Sequence, residues 1–167
     1  MKRKKNLNRM TSQLPICNTL EISSVPTEIE KICNEIISRL GAAHFSKDDI
    51  FAVHLALEEG LINAVKHGNQ MNPDKKVKVG YTINTDKIEI SIEDEGRGFK
   101  PNDVPDPRLG ENLYKYDGRG LLLIQSFMDE VEFNQRGNCL NMIRFKDQSG
   151  HLADKDSKVQ RQKTENI

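Results

Sequence analysis

The sequence predicts an α+β fold: a mixed, mostly antiparallel sheet with helices on one face. Two observations predict it. Segments with apolar residues at every second position and segments of helical period follow one another as strand, two helices, two strands, loop, helix, two strands. Two turn signals, Asn84-Thr85-Asp86 and Arg136-Gly137-Asn138, join adjacent strand segments and mark them as antiparallel hairpins.

Taken in order, residues 1–13 hold five basic residues among polar ones and read as a mobile basic arm. Ile16 to Ile22 alternates as a strand. Ser24 or Thr27 is placed to cap a helix running to about Leu40 with Ile29, Ile32, Ile36, Ile37 and Leu40 on one face, and Gly41 to end it. Ser46 is placed to cap the next helix, with Asp48 and Asp49 in its first turn. Gly68, Asn69 and Asn72-Pro73 stop it. Lys76–Ile83 and Lys87–Glu93 are the strands of the first hairpin. A long loop with few apolar residues follows, then an apolar helix opened by Gly118-Arg119-Gly120. Val131–Phe133 and Cys139–Phe145 close the domain, which spans residues 14–146. Residues 147–167 are polar and charged and read as a disordered tail.

The chain has 167 residues, enough for one domain with a sizeable core. Its 25 basic and 25 acidic residues cancel, which excludes a bulk nucleic-acid binder. No apolar run reaches the ~20 residues of a membrane span, and no apolar segment follows the basic start as in a secretory signal. Cys17, Cys33 and Cys139 form no CxxC pair, and His44, His54, His67 and His151 show no zinc spacing; buried, reduced thiols in a cytoplasmic protein are expected.

Chemistry concentrates in three stretches. On the central helix, Glu59, Asn63 and His67 stand four residues apart and share one face, with Ala52 and Ala56 on the same face leaving room for a ligand. Ile50, Val53, Leu57, Leu61 and Ala64 stripe the opposite face. A carboxylate one turn from an amide suits a general base beside a divalent metal, although a plain amphipathic helix with a solvated polar face carries the same pattern. Second, Asp94-Glu95-Gly96-Arg97-Gly98 ends a strand. A carboxylate there accepts from an adenine amino group, and Gly96 and Gly98 let the backbone approach a flat base; a simple turn also reads DxGxG. Third, Gly118-Arg119-Gly120-Leu121 opens a helix whose free N–H groups, with Arg119, make a phosphate seat. Neither GxxxxGK[ST] nor GxGxxG occurs.

ExxxNAxxHG, then DxGxGF, then GRGLxLI followed by FMDEV resembles the Bergerat-fold (GHKL) ATPases over residues 14–146. The short chain looks most like the RsbW-like anti-sigma factor serine/threonine-protein kinases. The resemblance implies an α/β sandwich and an ATP site with Mg2+. Glu59 matches the general base, Asn63 the magnesium ligand and Asp94 the adenine-binding aspartate, with Gly96 and Gly98 closing over the base. Residues 101–117 match the ATP lid, and Gly118 to Leu121 its phosphate-binding end; His67 belongs to the same helix motif. It also implies transfer of the γ-phosphate to a serine or threonine of an antagonist protein, sequestration of a sigma factor, and a homodimer. No nucleic acid or membrane partner is implied. Glu58 lies beside Glu59, but only Glu59 has the four-residue spacing to Asn63. Two further readings stand beside the kinase: a sequestering module that uses nucleotide without significant transfer, and the catalytic fragment of a histidine kinase, against which the lack of a phosphoacceptor helix pair speaks.

Overall fold

A computed structural model describes residues 15–98 and 119–147. The arm 1–13, the lid 101–117 with Gly118, and the tail from residue 148 lie outside the described residues. Period-2 segments give five strands: β1 (Ile16–Ser23), β2 (Lys76–Ile83), β3 (Lys87–Asp94), β4 (Glu130–Phe133) and β5 (Cys139–Phe145). They form one sheet in the order β1-β2-β3-β5-β4, and all four pairings are antiparallel, so no parallel pair occurs among the described residues. The hairpin over Asn84–Asp86 closes through Asn84 N–H to Lys87 O at 2.9 Å. Gly137 turns the second hairpin at φ 76°, a conformation that favours glycine. There the Asn134 side-chain oxygen accepts the N–H groups of Gly137 and Asn138.

One face of the sheet is apolar at every second position: Val77, Val79, Tyr81 and Ile83 on β2, Ile88, Ile90 and Ile92 on β3, Leu140 and Met142 on β5, all buried. Three helices, α1 (Thr27–Ala42), α2 (Lys47–Ile62) and α3 (Arg119–Phe127), cover it, completing a sheet-and-helix sandwich. The other face carries Thr19, Lys78, Ser91, Glu93 and Asn141, as alternation requires.

The helix boundaries differ from expectation in three places, each with a local cause. Neither Ser24 nor Thr27 caps α1: the N-cap is Pro26, without a side-chain bond. Ser24 is fully buried, and its hydroxyl accepts from the Asn69 amide at 2.6 Å. Gly41 stays helical, and the chain turns instead at His44, φ 58°. Ser46 does cap α2, accepting Asp49 N–H at 3.0 Å. Third, α2 gives way at Asn63 to a π-helical turn, Asn63–Gly68.

α2 is also buried more widely than one stripe. It packs against both α1 and α3. Val53, Leu57, Leu61 and Ala64 are buried as expected, but so are Ala52 and Ala56, at 4% and 0% exposure. Those two alanines admit neighbouring helices, not a ligand. The cysteines are unpaired, but only Cys33 is buried; Cys17 is exposed. Burial pushes the Cys33 thiol up to about 11.

Candidate functional site

The C-terminal end of α2 builds one wall of the site. In the π turn the N–H of Asn69 reaches back five residues to Ala64 O at 2.8 Å, so the helix widens where Asn63 and His67 project. The chain then reverses through two non-glycine residues in the left-handed region, Gln70 (φ 57°) and Met71 (φ 53°). A cavity of about 710 Å³ opens between this turn, the end of β3, the β4–β5 turn and the start of α3. Ile92, Leu140, Ala64 and Phe133 give it an apolar lining; Asn63, His67, Lys75, Asp94 and Arg97 give it polar groups. This is the composition of a small-molecule site, apolar with a few polar groups to fix orientation. A second depression, of about 540 Å³, lies on the open sheet face around Gly80 and Ser91 and includes none of the predicted residues.

Glycines set the close approaches. A Cβ on Gly68 would stand 2.4 Å from the Asp94 carboxylate carbon, and one on Gly96 would stand 2.3 Å from Gly68 O. The α2–π segment and the DEGRG loop therefore touch backbone to backbone, which only glycine permits. Asp94 Oδ1 accepts Gly96 N–H at 2.7 Å. Burial nevertheless holds the Asp94 carboxyl above the ordinary aspartate range, against the lowering effect of that N–H and of Lys75 and Arg136.

Glu59 stands against the third stretch. A Cβ on Gly120 would lie 2.6 Å from Glu59 Oε2 and 3.5 Å from Asn63 Nδ2, so the start of α3 sits directly on the carboxylate-amide pair. Glu59 is half-buried, whereas Glu58 is exposed. Asn63, His67, Asp94, Gly98, Gly120 and Leu121 line one cavity, with His67 exposed at its mouth. Gly96 is buried behind Asp94, Arg119 is the exposed first residue of α3, and Gly118 lies outside the described residues. Among the described residues no group of three or more His, Cys, Asp or Glu could hold a metal ion alone. A divalent cation at Asn63 would take its other ligands from phosphate and water.

Sequence reasoning missed the residues that hold the DEGRG loop. Asn138, only 6% exposed, donates to Asp94 O at 2.7 Å, and its carbonyl accepts Asp94 N–H at 2.9 Å. Arg136 donates to Gly96 O at 2.9 Å. Gly60 lets α2 lie on β3, since a Cβ there would meet Ile92 Cδ1 at 2.7 Å. The sequence marked the Arg136–Asn138 run only as a turn; its polar residues, next to a strand paired with β3, were the available signal.

The histidine kinase-like ATPase domain family matches residues 22–144. An anti-sigma F factor of Heyndrickxia coagulans is 30% identical over 135 residues, 74% of this chain and 88% of the relative. The serine-protein kinase RsbW of Staphylococcus epidermidis is 34% identical over 119 residues, 66% of this chain and 72% of the relative. The crystal structure of the RsbU and RsbW domains of a Mycobacterium tuberculosis protein superposes with TM-score 0.55 at 14% identity, over 81% of this chain and 33% of that one, and shares the fold. The chain therefore belongs to the histidine kinase-like ATPase family, within the group of the anti-sigma F factors and RsbW serine-protein kinases.

Proposed function

We propose that this chain is an ATP-dependent serine/threonine-protein kinase that binds a sigma factor and phosphorylates that factor's antagonist protein. It acts in the cytoplasm as a homodimer, through a domain of residues 14–146 between a basic arm and a polar tail, without a nucleic-acid or membrane partner. The observation that carries the reading is the packing of Gly120 on Glu59 and Asn63, which sets a carboxylate, an amide and a helix N-terminus around one point. Relatives named anti-sigma F factor and serine-protein kinase supply both halves of the activity.

In this reading Asp94 accepts the adenine amino group over the apolar lining. Gly98, on the lining, admits the flat base, Gly96 packs on Gly68 behind Asp94 and holds the carboxylate in place, and His67 stands at the cavity mouth beside Asn63. Gly118, Arg119, Gly120 and Leu121 receive the phosphates at the start of α3. The Asn63 amide oxygen would hold a Mg2+ ion, which would supply charge neutralisation on those phosphates. Glu59 orients the substrate hydroxyl and takes its proton. The serine oxygen bonds to the γ-phosphorus, the bond to the bridging oxygen breaks, and ADP leaves with that electron pair.

Glu59→Gln keeps shape and hydrogen bonding but removes basicity. ATP and partner affinity should stay within about threefold of the unaltered protein, a change under ~0.7 kcal/mol. Transfer of labelled phosphate to the antagonist should fall at least ~10²-fold. Glu58→Gln should do far less, since that side chain is exposed. Transfer that survives Glu59→Gln removes the base. An unaltered protein that binds ATP and partner but transfers nothing is a sequestering module instead.

A further inference from the structure

Asn69 reads in the sequence as a helix stop, yet it is completely buried and every polar atom of its amide is used. Its Nδ2 donates to Ser24 Oγ at 2.6 Å and to Lys76 O at 2.8 Å, and its Oδ1 accepts the N–H of Glu95 at 2.8 Å. Glu95 Oε2 in turn accepts the N–H of Lys76 at 2.5 Å. Asn69, Lys76 and Glu95 thus form a closed ring of three hydrogen bonds, two of which fix backbone groups of Lys76 and one the backbone next to Asp94. Asn69 does not line the cavity, so it acts on a ligand only through what it holds.

What it holds is specific. Asn69 follows Gly68, whose backbone walls the Asp94 carboxylate on one side. Glu95 follows Asp94 itself. Asn138, at the end of the turn before β5, grips the Asp94 backbone. The ring therefore ties the π turn of α2 to the residue after the carboxylate and fixes their separation. Small shifts matter here because Gly68, Gly96 and Asp94 leave no slack between them.

We propose that Asn69 is a positioning residue for base recognition, aiming the Asp94 carboxylate at the amino group of the adenine. This rests on the nucleotide reading of the cavity. A well-aimed carboxylate accepts from an exocyclic amino group and repels the carbonyl that guanine presents at the same place. Aim, more than affinity in general, is what Asn69 controls.

The test is the ratio of ATP to GTP affinity, measured by calorimetry in magnesium on the full chain. Asn69→Ala should cut that ratio by about tenfold while GTP affinity changes little, the size expected when one polar pairing loses alignment. Glu95→Ala opens the ring at its exposed link without touching the core, and should cut the ratio by about two- to threefold. A role confined to folding predicts something else: ATP and GTP affinities falling together, or only Tm falling. That result overturns the inference and leaves the nucleotide site standing. If Asn69→Ala does not fold, Glu95→Ala decides, and an unchanged ratio there overturns it. An unaltered protein with no preference for ATP over GTP removes the base reading and this inference with it.

Discussion

Two aspartates, Asp49 and Asp94, face opposite fates at the two ends of the helix layer. Asp49, in the first turn of α2, is fully buried. Arg144 donates to it through Nε at 3.0 Å and Nη2 at 2.9 Å, Ser46 Oγ at 2.8 Å, and Asp147 N–H at 2.9 Å. The same arginine donates to Phe127 O at 3.2 Å, tying the last turn of α3 to the first turn of α2. Asp94, beside the other end of α2, is only half-buried, accepts one N–H from its own loop, and faces a cavity. The difference is between a carboxylate whose bonds the fold has filled and one left open to a cavity. Asp49 has its bonding capacity filled by the fold; Asp94 has its backbone clamped by Asn138 and a single N–H on its carboxyl, whose pKa burial raises.

The sharpest way to break this comparison is at the filled end. Asp49→Ala leaves the Arg144 guanidinium without its main partner, and Arg144 is itself only 25% exposed. Breaking such a pair costs about 3 kcal/mol, the lower end of the range for buried pairs because the arginine retains some water. Urea unfolding should show that loss, with the ATP affinity of the folded protein unchanged. A loss below about 1 kcal/mol would place the pair among surface ion pairs, and a parallel loss of ATP affinity would mean the two ends are not separate.

Asp94→Asn should do the reverse. Its amide still accepts Gly96 N–H but loses the charge-assisted bond to the base, worth ~1.5–3 kcal/mol, so ATP affinity falls about tenfold or more. Stability should not fall. The folded-state pKa of Asp94 lies above its unfolded value, so the favoured neutral form stabilises the fold at low pH. That contribution disappears as pH rises through the folded pKa. The asparagine variant has no charge to bury. Its Tm advantage over the unaltered protein should therefore grow from about pH 4, the ordinary aspartate value, and level off once the pH passes the raised folded pKa of Asp94. A Tm below that of the unaltered protein at pH 7 would show that Asp94 is structural like Asp49.

Most of this architecture was legible because it depends on short-range pattern. Alternation located the strands within a residue or two, Ser46 announced α2, and spacing and position at element ends singled out Glu59, Asn63 and Asp94, which the fold gathers at one end of α2. Three features were not legible, for physical reasons. The π turn over Asn63–Gly68 spans a single turn, too short to establish a period different from 3.6 residues. The pair Asp49–Arg144 and the bond from Glu95 to Asn69 join residues 95 and 26 apart in the chain, and only the packing of helices on the sheet brings them together. Ala52 and Ala56 misled because small residues on a helix face suit a neighbouring helix as well as a ligand.

The smallest effect tests whether the site end of α2 also stores strain that the far end does not use. Met71, just past the π turn, is left-handed at φ 53°, and His44, between α1 and α2 near Asp49, is left-handed at φ 58°. A non-glycine residue there is held at a cost of order 1 kcal/mol, which glycine avoids while paying backbone entropy on folding. Met71 is 53% exposed, so truncating it loses little packing, and its N–H bond to Val65 O at 2.8 Å is backbone and survives. Gln70 is less useful because it lines the cavity. Met71→Gly should therefore raise stability by about 0.5 kcal/mol, roughly 1–3 °C in Tm, and His44→Gly by a similar amount. The two should part company in function. His44→Gly should leave ATP affinity unchanged, because its turn lies at the filled end. Met71→Gly should weaken ATP binding by about two- to threefold if the left-handed turn holds Gln70 and the π turn in place over the cavity. Equal affinities in the two variants would mean that the strain at Met71 is a property of the turn alone, and that only the carboxylates distinguish the two ends.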